Sequence, residues 1–265
     1  MANLRLIALA GGTAAAAAVI WLTLGEPEPA ATAKLNAPAP VEVKPTTPPS
    51  VPEAEIPARQ PTVSALPPLP PLDASDSWLR QQSDSLVAPA QRNQLSEWLA
   101  SSDLLRRSSA YIDGLARGQL LTNIFPLTPP SDRFISHASN GRLWMNAGNY
   151  ERYNTTVDLI TAIDAEQLVA LFDRARPLLM AAFSELGYTQ RQMDGTVMTA
   201  LQEVLATPVI VEPIELTRES VAFRYADPKL ENLSRLQKQL LRSGPENTQR
   251  LQSLARDLEQ RLLAE

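Results

Sequence analysis

Fourteen of the 23 prolines lie between Glu26 and Leu72. No other feature of the sequence restricts the fold so much. Proline fixes φ and removes a backbone donor, so a segment this rich forms neither a helix nor the interior of a sheet. Residues 25–72 are therefore expected to be an extended, disordered, polyproline-II-biased linker. At about 3.1 Å per residue, its 48 residues reach at most roughly 150 Å. The end of the tract, Leu66-Pro67-Pro68-Leu69-Pro70-Pro71-Leu72, also has the composition of a ligand for an aromatic groove. A spacer is the simpler reading.

Ahead of the linker, Leu4 to Leu24 reads LRLIALAGGTAAAAAVIWLTL and carries one charge, Arg5. Twenty-one helical residues at about 1.5 Å each span about 31 Å, the thickness of a hydrocarbon core. Trp21 falls near one interface, and Arg5 faces Glu26 and Glu28 across the segment. The positive-inside rule then puts the N-terminus in the cytoplasm and the rest outside. A cleaved signal peptide fits less well. The basic start is weak, the apolar stretch is too long, and Ala31-Thr32-Ala33 lies beyond it. Residues 1–24 are expected to be a transmembrane anchor.

The chain has 265 residues, no cysteine and one histidine. The absent thiols exclude disulfides, thiolate nucleophiles, zinc–thiolate sites and iron–sulfur clusters. Residues 1–72 carry four basic and five acidic groups, and the other 20 basic and 24 acidic groups leave residues 73–265 at −4. That balance lacks the basic footprint of a nucleic-acid partner. Arg106–Arg107 reads as a solvated helix face.

From Asp73 the pattern becomes helical, and residues 73–265 suffice for one globular domain. Helices are expected from Ser75 or Asp76, from about Gln91, and from Ser102 to near Gly118. Another runs from Ala147 or Asn149 to Ile163. The clearest begins at Asp164, with Leu168, Leu171, Phe172, Ala175 and Leu179 in register and a kink expected at Pro177. Thr189 and Gln192 have capping-box spacing for the next. Asn140–Gly141 between apolar runs predicts a hairpin with strands at 133–138 and 142–146. Val209–Val211, Ile214–Leu216 and Val221–Tyr225 read as short edge strands, one or two of them pairing with the hairpin. Asp227–Pro228 starts a helix to Ser243, and Gly244–Pro245 joins it to the last one. The fold class is α+β, mainly α, with a small antiparallel sheet.

Several ordered phrases resemble a known family. They are Leu69-Pro-Pro-Leu-Asp73 before Ser77-Trp78-Leu79, Asn149-Tyr150-Glu-Arg-Tyr153, Glu185-Leu-Gly-Tyr188, Leu205-Ala-Thr-Pro208, Phe223-Arg-Tyr-Ala-Asp-Pro228, Gln237-Lys238 and Gly244-Pro-Glu-Asn247. Over roughly residues 66–260 the chain resembles a bacterial domain of unknown function, family three-zero-one-four. The resemblance implies a Gram-negative envelope protein with one N-terminal membrane helix. It implies no activity and no catalytic residues.

Candidate chemistry is sparse. His137 would need a nucleophile and a carboxylate beside it, but neighbouring Ser136 points to the opposite strand face and no Gly-x-Ser-x-Gly elbow exists. A glycosidase needs only two carboxylates, and Glu151, Glu185, Asp194, Asp227 and Glu246 are available, but no spacing selects a pair. No catalytic, cofactor-binding or metal-binding residue is expected. The densest polar-aromatic phrases offer a possible recognition surface for a peptide or glycan: Asn149, Tyr150, Tyr153, Arg224, Tyr225, Gly244, Pro245, Glu246 and Asn247. The competing reading has the tyrosines filling the core edge and the asparagines capping helices. The functional expectation is a membrane-anchored periplasmic adaptor or scaffold. Its partner would be an envelope protein or peptidoglycan. A carboxylate-dependent cell-wall glycan protein and an envelope assembly factor are the alternatives.

Overall fold

The computed structural model describes residues 51–57, 67–121, 124, 133–218 and 222–264. The expected anchor at 1–24 lies outside the described residues, as do 25–50 and 58–66 of the expected linker. Among the described residues, no helix is long and apolar enough to cross a membrane.

The domain is mainly helical with one four-stranded antiparallel sheet. Helices α1 (Ser75–Gln82), α2 (Arg92–Trp98) and α3 (Leu104–Ala116) come first. The hairpin β1 (Ser136–Ser139) and β2 (Arg142–Met145) follows, then α4 (Gly148–Glu151), α5 (Asn154–Thr161), α6 (Ala165–Glu185) and α7 (Gln190–Leu205). Strands β3 (Glu215–Arg218) and β4 (Phe223–Tyr225) complete the sheet. Helices α8 (Pro228–Glu231), α9 (Arg235–Ser243) and α10 (Pro245–Leu263) close the chain.

Local chemistry accounts for most boundaries. The Asp164 carboxylate accepts from the amides of Glu166 and Gln167, and Gly187 supplies the positive φ of 88° just past the end of α6. Pro177 is exposed, and α6 continues through it for all 21 residues. Thr189 and Gln192 form the expected capping box of α7. Ser234 and Gln237 form another, which starts a new helix. The single helix expected from Asp227 to Ser243 is therefore two, α8 and α9. The helix expected from about 147 to 163 likewise divides at Arg152–Tyr153.

The start of α3 is decided at a distance. Ser102 does not cap it. Asp103 sits in the left-handed region at φ 57°, and Asp76 of α1 accepts from the amides of Asp103 (2.8 Å) and Leu104 (2.9 Å). One carboxylate thus takes up two of the amides that a helix start leaves without partners.

The turn at Asn140 (φ 52°) and Gly141 (φ 74°) has the positive φ pair of a type I′ hairpin. The strand order is β1-β2-β3-β4, with Leu143 opposite Leu216 and Leu216 opposite Tyr225. The Ile214–Leu216 segment, expected at an edge, supplies the interior strand β3. Val209–Val211 is not a strand. Pro208 and Pro213 bracket it and bring no amides to a ladder.

The main core is helical and includes Leu79, Leu105, Tyr111, Val157, Leu168, Phe183, Met193, Leu236, Leu240 and Leu251. A smaller core of Met145, Ile214, Leu216, Tyr225 and Leu241 lies under the sheet.

One finding corrects the linker. Residues 51–57 are packed against the helices, and Ile56 is 2 % exposed within the main core. Leu69 and Leu72 also pack on that core. Proline forbids regular structure but not an extended segment whose amides are met by the domain.

Candidate functional site

Of the expected recognition residues, Asn149, Tyr150, Gly244 and Asn247 converge on one joint, where the hairpin and α4 meet α9 and α10. Asn149 is fully buried. Its Nδ2 donates to the carbonyls of Ile135 (2.6 Å) and Asn146 (2.8 Å), and its Oδ1 accepts from the Ile135 amide (2.8 Å). Asn247 is also buried, and its Nδ2 donates to Asn154 Oδ1 (2.9 Å) and to the carbonyls of Ser243 (3.0 Å) and Tyr150 (3.4 Å). Gly244 has φ 88°, and a Cβ there would sit 2.4 Å from Tyr150 Cγ, so only glycine lets the ring pack on the α9–α10 junction. Tyr150 is half-buried, and burial pushes its phenol above the ordinary range.

Tyr153 lies in the main core and Tyr225 in the smaller one. The Tyr225 hydroxyl donates to the Lys238 carbonyl (3.1 Å), and burial pushes its pKa up to about 12. Pro245 is half-buried, whereas Arg224 and Glu246 are exposed. The tyrosines are buried or half-buried at the two cores, whereas Asn149 and Asn247 cap no helix and instead bond across the joint. Arg224 and Glu246 face solvent, as does part of Tyr150 and of Pro245.

A second constellation escaped the sequence reading. Arg176 of α6 and Asp194 of α7 form a buried ion pair, with Arg176 Nη2 bonded to Asp194 Oδ2. Above them runs the 51–57 segment. The Ile56 amide donates to Asp194 Oδ2 (3.1 Å), and its carbonyl accepts from Arg176 Nη2 (3.1 Å). The Ala54 amide donates to the Arg191 carbonyl (3.1 Å), and Glu53 lies 3.8 Å from the Arg191 guanidinium. A Cβ on Gly195 would lie 2.1 Å from the Pro52 carbonyl oxygen, so glycine creates the channel for the segment. Burial raises the Asp194 carboxyl above its usual range, against the opposing pull of the Ile56 amide and Arg176.

A signal for this pair existed. Arg176 sits in the stripe Phe172, Leu179, Phe183, and Asp194 in the stripe Met198, Leu201, Leu205. Opposite charges in the apolar stripes of consecutive helices are candidates for a buried pair, because neither is stable there alone.

The protein family of unknown function DUF3014 matches residues 104–259, more than half of the chain. The chain belongs to the DUF3014 family. No curated protein and no solved structure matches it. The DUF3014 match contains Arg176, Asp194 and the joint around Asn149 and Asn247, and it excludes the 51–57 segment.

The carboxylates weighed for glycosidase chemistry in this DUF3014 chain have separate surroundings. Glu185 accepts a two-pronged bond from Arg106 (2.6 and 2.8 Å), which holds its carboxyl below the usual range. Arg106 also reaches Asp73 (2.6 Å) and Asp103 (3.2 Å). Asp194 is engaged by Arg176 and the Ile56 amide, Asp227 caps α8 through the Lys229 amide, and Glu151 and Glu246 are exposed. His137 is exposed on β1 opposite Trp144. Among the described residues, no group of three or more His, Asp or Glu is placed to hold a metal. A cavity of about 120 Å³ lies between α3, α6, α7 and α10, lined by apolar side chains such as Ile112, Leu168, Phe172, Val197 and Leu258. Ser108 is the one polar side chain in its lining, and its hydroxyl is already bonded to the Leu104 carbonyl.

Proposed function

We propose that this DUF3014 protein is a single-pass, non-enzymatic adaptor of the Gram-negative envelope, with the helical domain in the periplasm. The observation that carries the reading is the attachment of the proline-rich tract. Residues 51–57 are bound across α6 and α7, so the proline-rich tract meets the domain at one defined face. The apolar run Leu4–Leu24 ahead of the tract, with its charge bias, supports an anchor at the far end. The domain is then a positioned body on a tether. The exposed Ile135, next to the edge strand β1, gives it an apolar feature on the sheet side.

Two measurements test the reading. A reporter active only outside the cytoplasm, fused after Glu265, is expected to be active, and an inactive fusion overturns the topology. Crosslinking in intact cells, followed by purification through the C-terminus, is expected to yield a defined envelope protein. Recovery at background level overturns the adaptor role.

A further inference from the structure

We infer that the α6–α7 face around Arg176 and Asp194 is a peptide-binding site for an extended, proline-flanked segment with an aliphatic residue directly before the second proline. In this structure it is occupied in cis by Val51–Pro57, and it accepts a segment of the same chemistry from another molecule in exchange.

The site is built to read main chain. Asp194 takes the amide of Ile56 and Arg176 takes its carbonyl, so both polar groups of one peptide residue are matched by one ion pair. The Arg191 carbonyl takes the amide two residues earlier, at Ala54. That i, i+2 spacing is the spacing of strand-like recognition, in which main-chain bonds hold the peptide and a side-chain pocket selects it. Here the selected side chain is Ile56, 2 % exposed. Gly195 removes the side chain that would block the peptide at Pro52. Arg191 beside Glu53 adds a preference for acid at that position.

The pair is also poorly explained as scaffolding. Asp194 is 1 % exposed and Arg176 8 %. Among the described residues, Asp194 Oδ1 and Arg176 Nε and Nη1 have no hydrogen-bond partner. A buried ion pair left with unmet donors and an unmet acceptor is a weak source of stability. It makes better sense as the polar floor of a site that holds a ligand backbone. The ligand is preorganised, because Pro57 biases Ile56 towards extended backbone. Glu53 and Glu55 stay exposed while Ile56 is buried and Val51 and Ala54 pack partly on the core, so the grip rests on three small aliphatic side chains and a few main-chain bonds. The site does not depend on where residues 4–24 lie.

The test uses the full chain in mild detergent and a fluorescent, end-capped peptide Val-Pro-Glu-Ala-Glu-Ile-Pro. Ile56→Asp vacates the site by placing a charge in the aliphatic pocket. This variant is expected to bind the peptide saturably, at least tenfold tighter than the wild type, whose own segment competes at high effective concentration. Adding Gly195→Ala to the variant is expected to abolish binding, because the new Cβ occupies the channel. A folded Ile56→Asp chain without saturable binding, or binding that ignores Gly195→Ala, overturns the proposal. Hydrogen exchange on the wild type decides the matter even if the variant does not fold. The Ala54 and Ile56 amides are expected to be at least 100-fold less protected than the slowest amides of α6, as an exchangeable ligand requires. Equal protection means that the segment opens only with global unfolding, and overturns the proposal.

Discussion

Gly195→Ala separates helix propensity from tertiary packing. Gly195 lies within α7, where replacing glycine by alanine in a helix interior is worth about 1 kcal/mol of added stability on propensity alone. The structure reverses the sign. The new Cβ would stand 2.1 Å from the Pro52 oxygen, 2.6 Å from the Pro52 carbonyl carbon and 3.0 Å from Glu53 Cα. All three are backbone atoms, so no rotamer change relieves the clash, and the segment must lift. Lifting exposes Ile56, at about 2 kcal/mol for a buried aliphatic side chain. It breaks the Ala54–Arg191 bond, at about 1 kcal/mol net. It strips Asp194 and Arg176 of their Ile56 partners, at about 1–2 kcal/mol for buried polar groups left less well met. Subtracting the propensity gain leaves a net loss of about 3–4 kcal/mol. Urea denaturation of the full chain measures it as a lower midpoint with little change in slope. Gly141→Ala is the control. Nothing lies within 4 Å of a Cβ there, so the cost is that of φ 74° alone, about 1–2 kcal/mol. A Gly195→Ala protein as stable as the wild type would refute the packing argument.

Two further predictions concern stability. Asp76→Ala removes the carboxylate that caps α3 and should lower stability by about 1 kcal/mol, with faster exchange confined to the Asp103 and Leu104 amides. Unchanged exchange at those two amides would contradict the capping role. Tyr225 has a folded pKa of about 12 against an ordinary value of 10.0. Its neutral form is favoured by the fold, so its contribution is complete below pH 10 and is lost as pH rises through about 12. The two-unit shift corresponds to roughly 3 kcal/mol. In a phenolate absorbance titration, Tyr225 should ionise only near pH 12, together with unfolding. Reversible titration of all five tyrosines near pH 10 would refute the burial argument.

The sequence itself determined whatever depends on neighbours in the chain. The caps at Asp164, Thr189 and Asp227 were legible because each carboxylate or hydroxyl meets amides two or three residues on. The Asn140–Gly141 turn was legible because two successive positive φ values call for those residue types. The core stripe of α6 followed from its 3.6-residue period. The membership suggested by the ordered phrases is also the family that matches.

Tertiary structure alone decided what depends on distant partners. Asp76 caps α3 from 27 residues away. Ile214–Leu216 contributes to an interior strand because β2 and β4 lie on its two sides. Asn149 and Asn247 look like recognition residues in a linear reading and prove to be buried joints, because Asn149 bonds to the backbone of Ile135 and Asn146 flanking the hairpin and Asn247 to groups of α4, α5 and α9. Proline density marked residues 25–72 as unable to form regular structure, and the described part obeys that rule as far as Pro71, with Leu72 opening a short 3-10 turn. What proline density could not show is that Val51–Pro57 would be held in the domain. Its partners, Arg176 and Asp194, stand 120 and 138 residues from Ile56, and only the packing of α6 on α7 puts the two charges together beneath it.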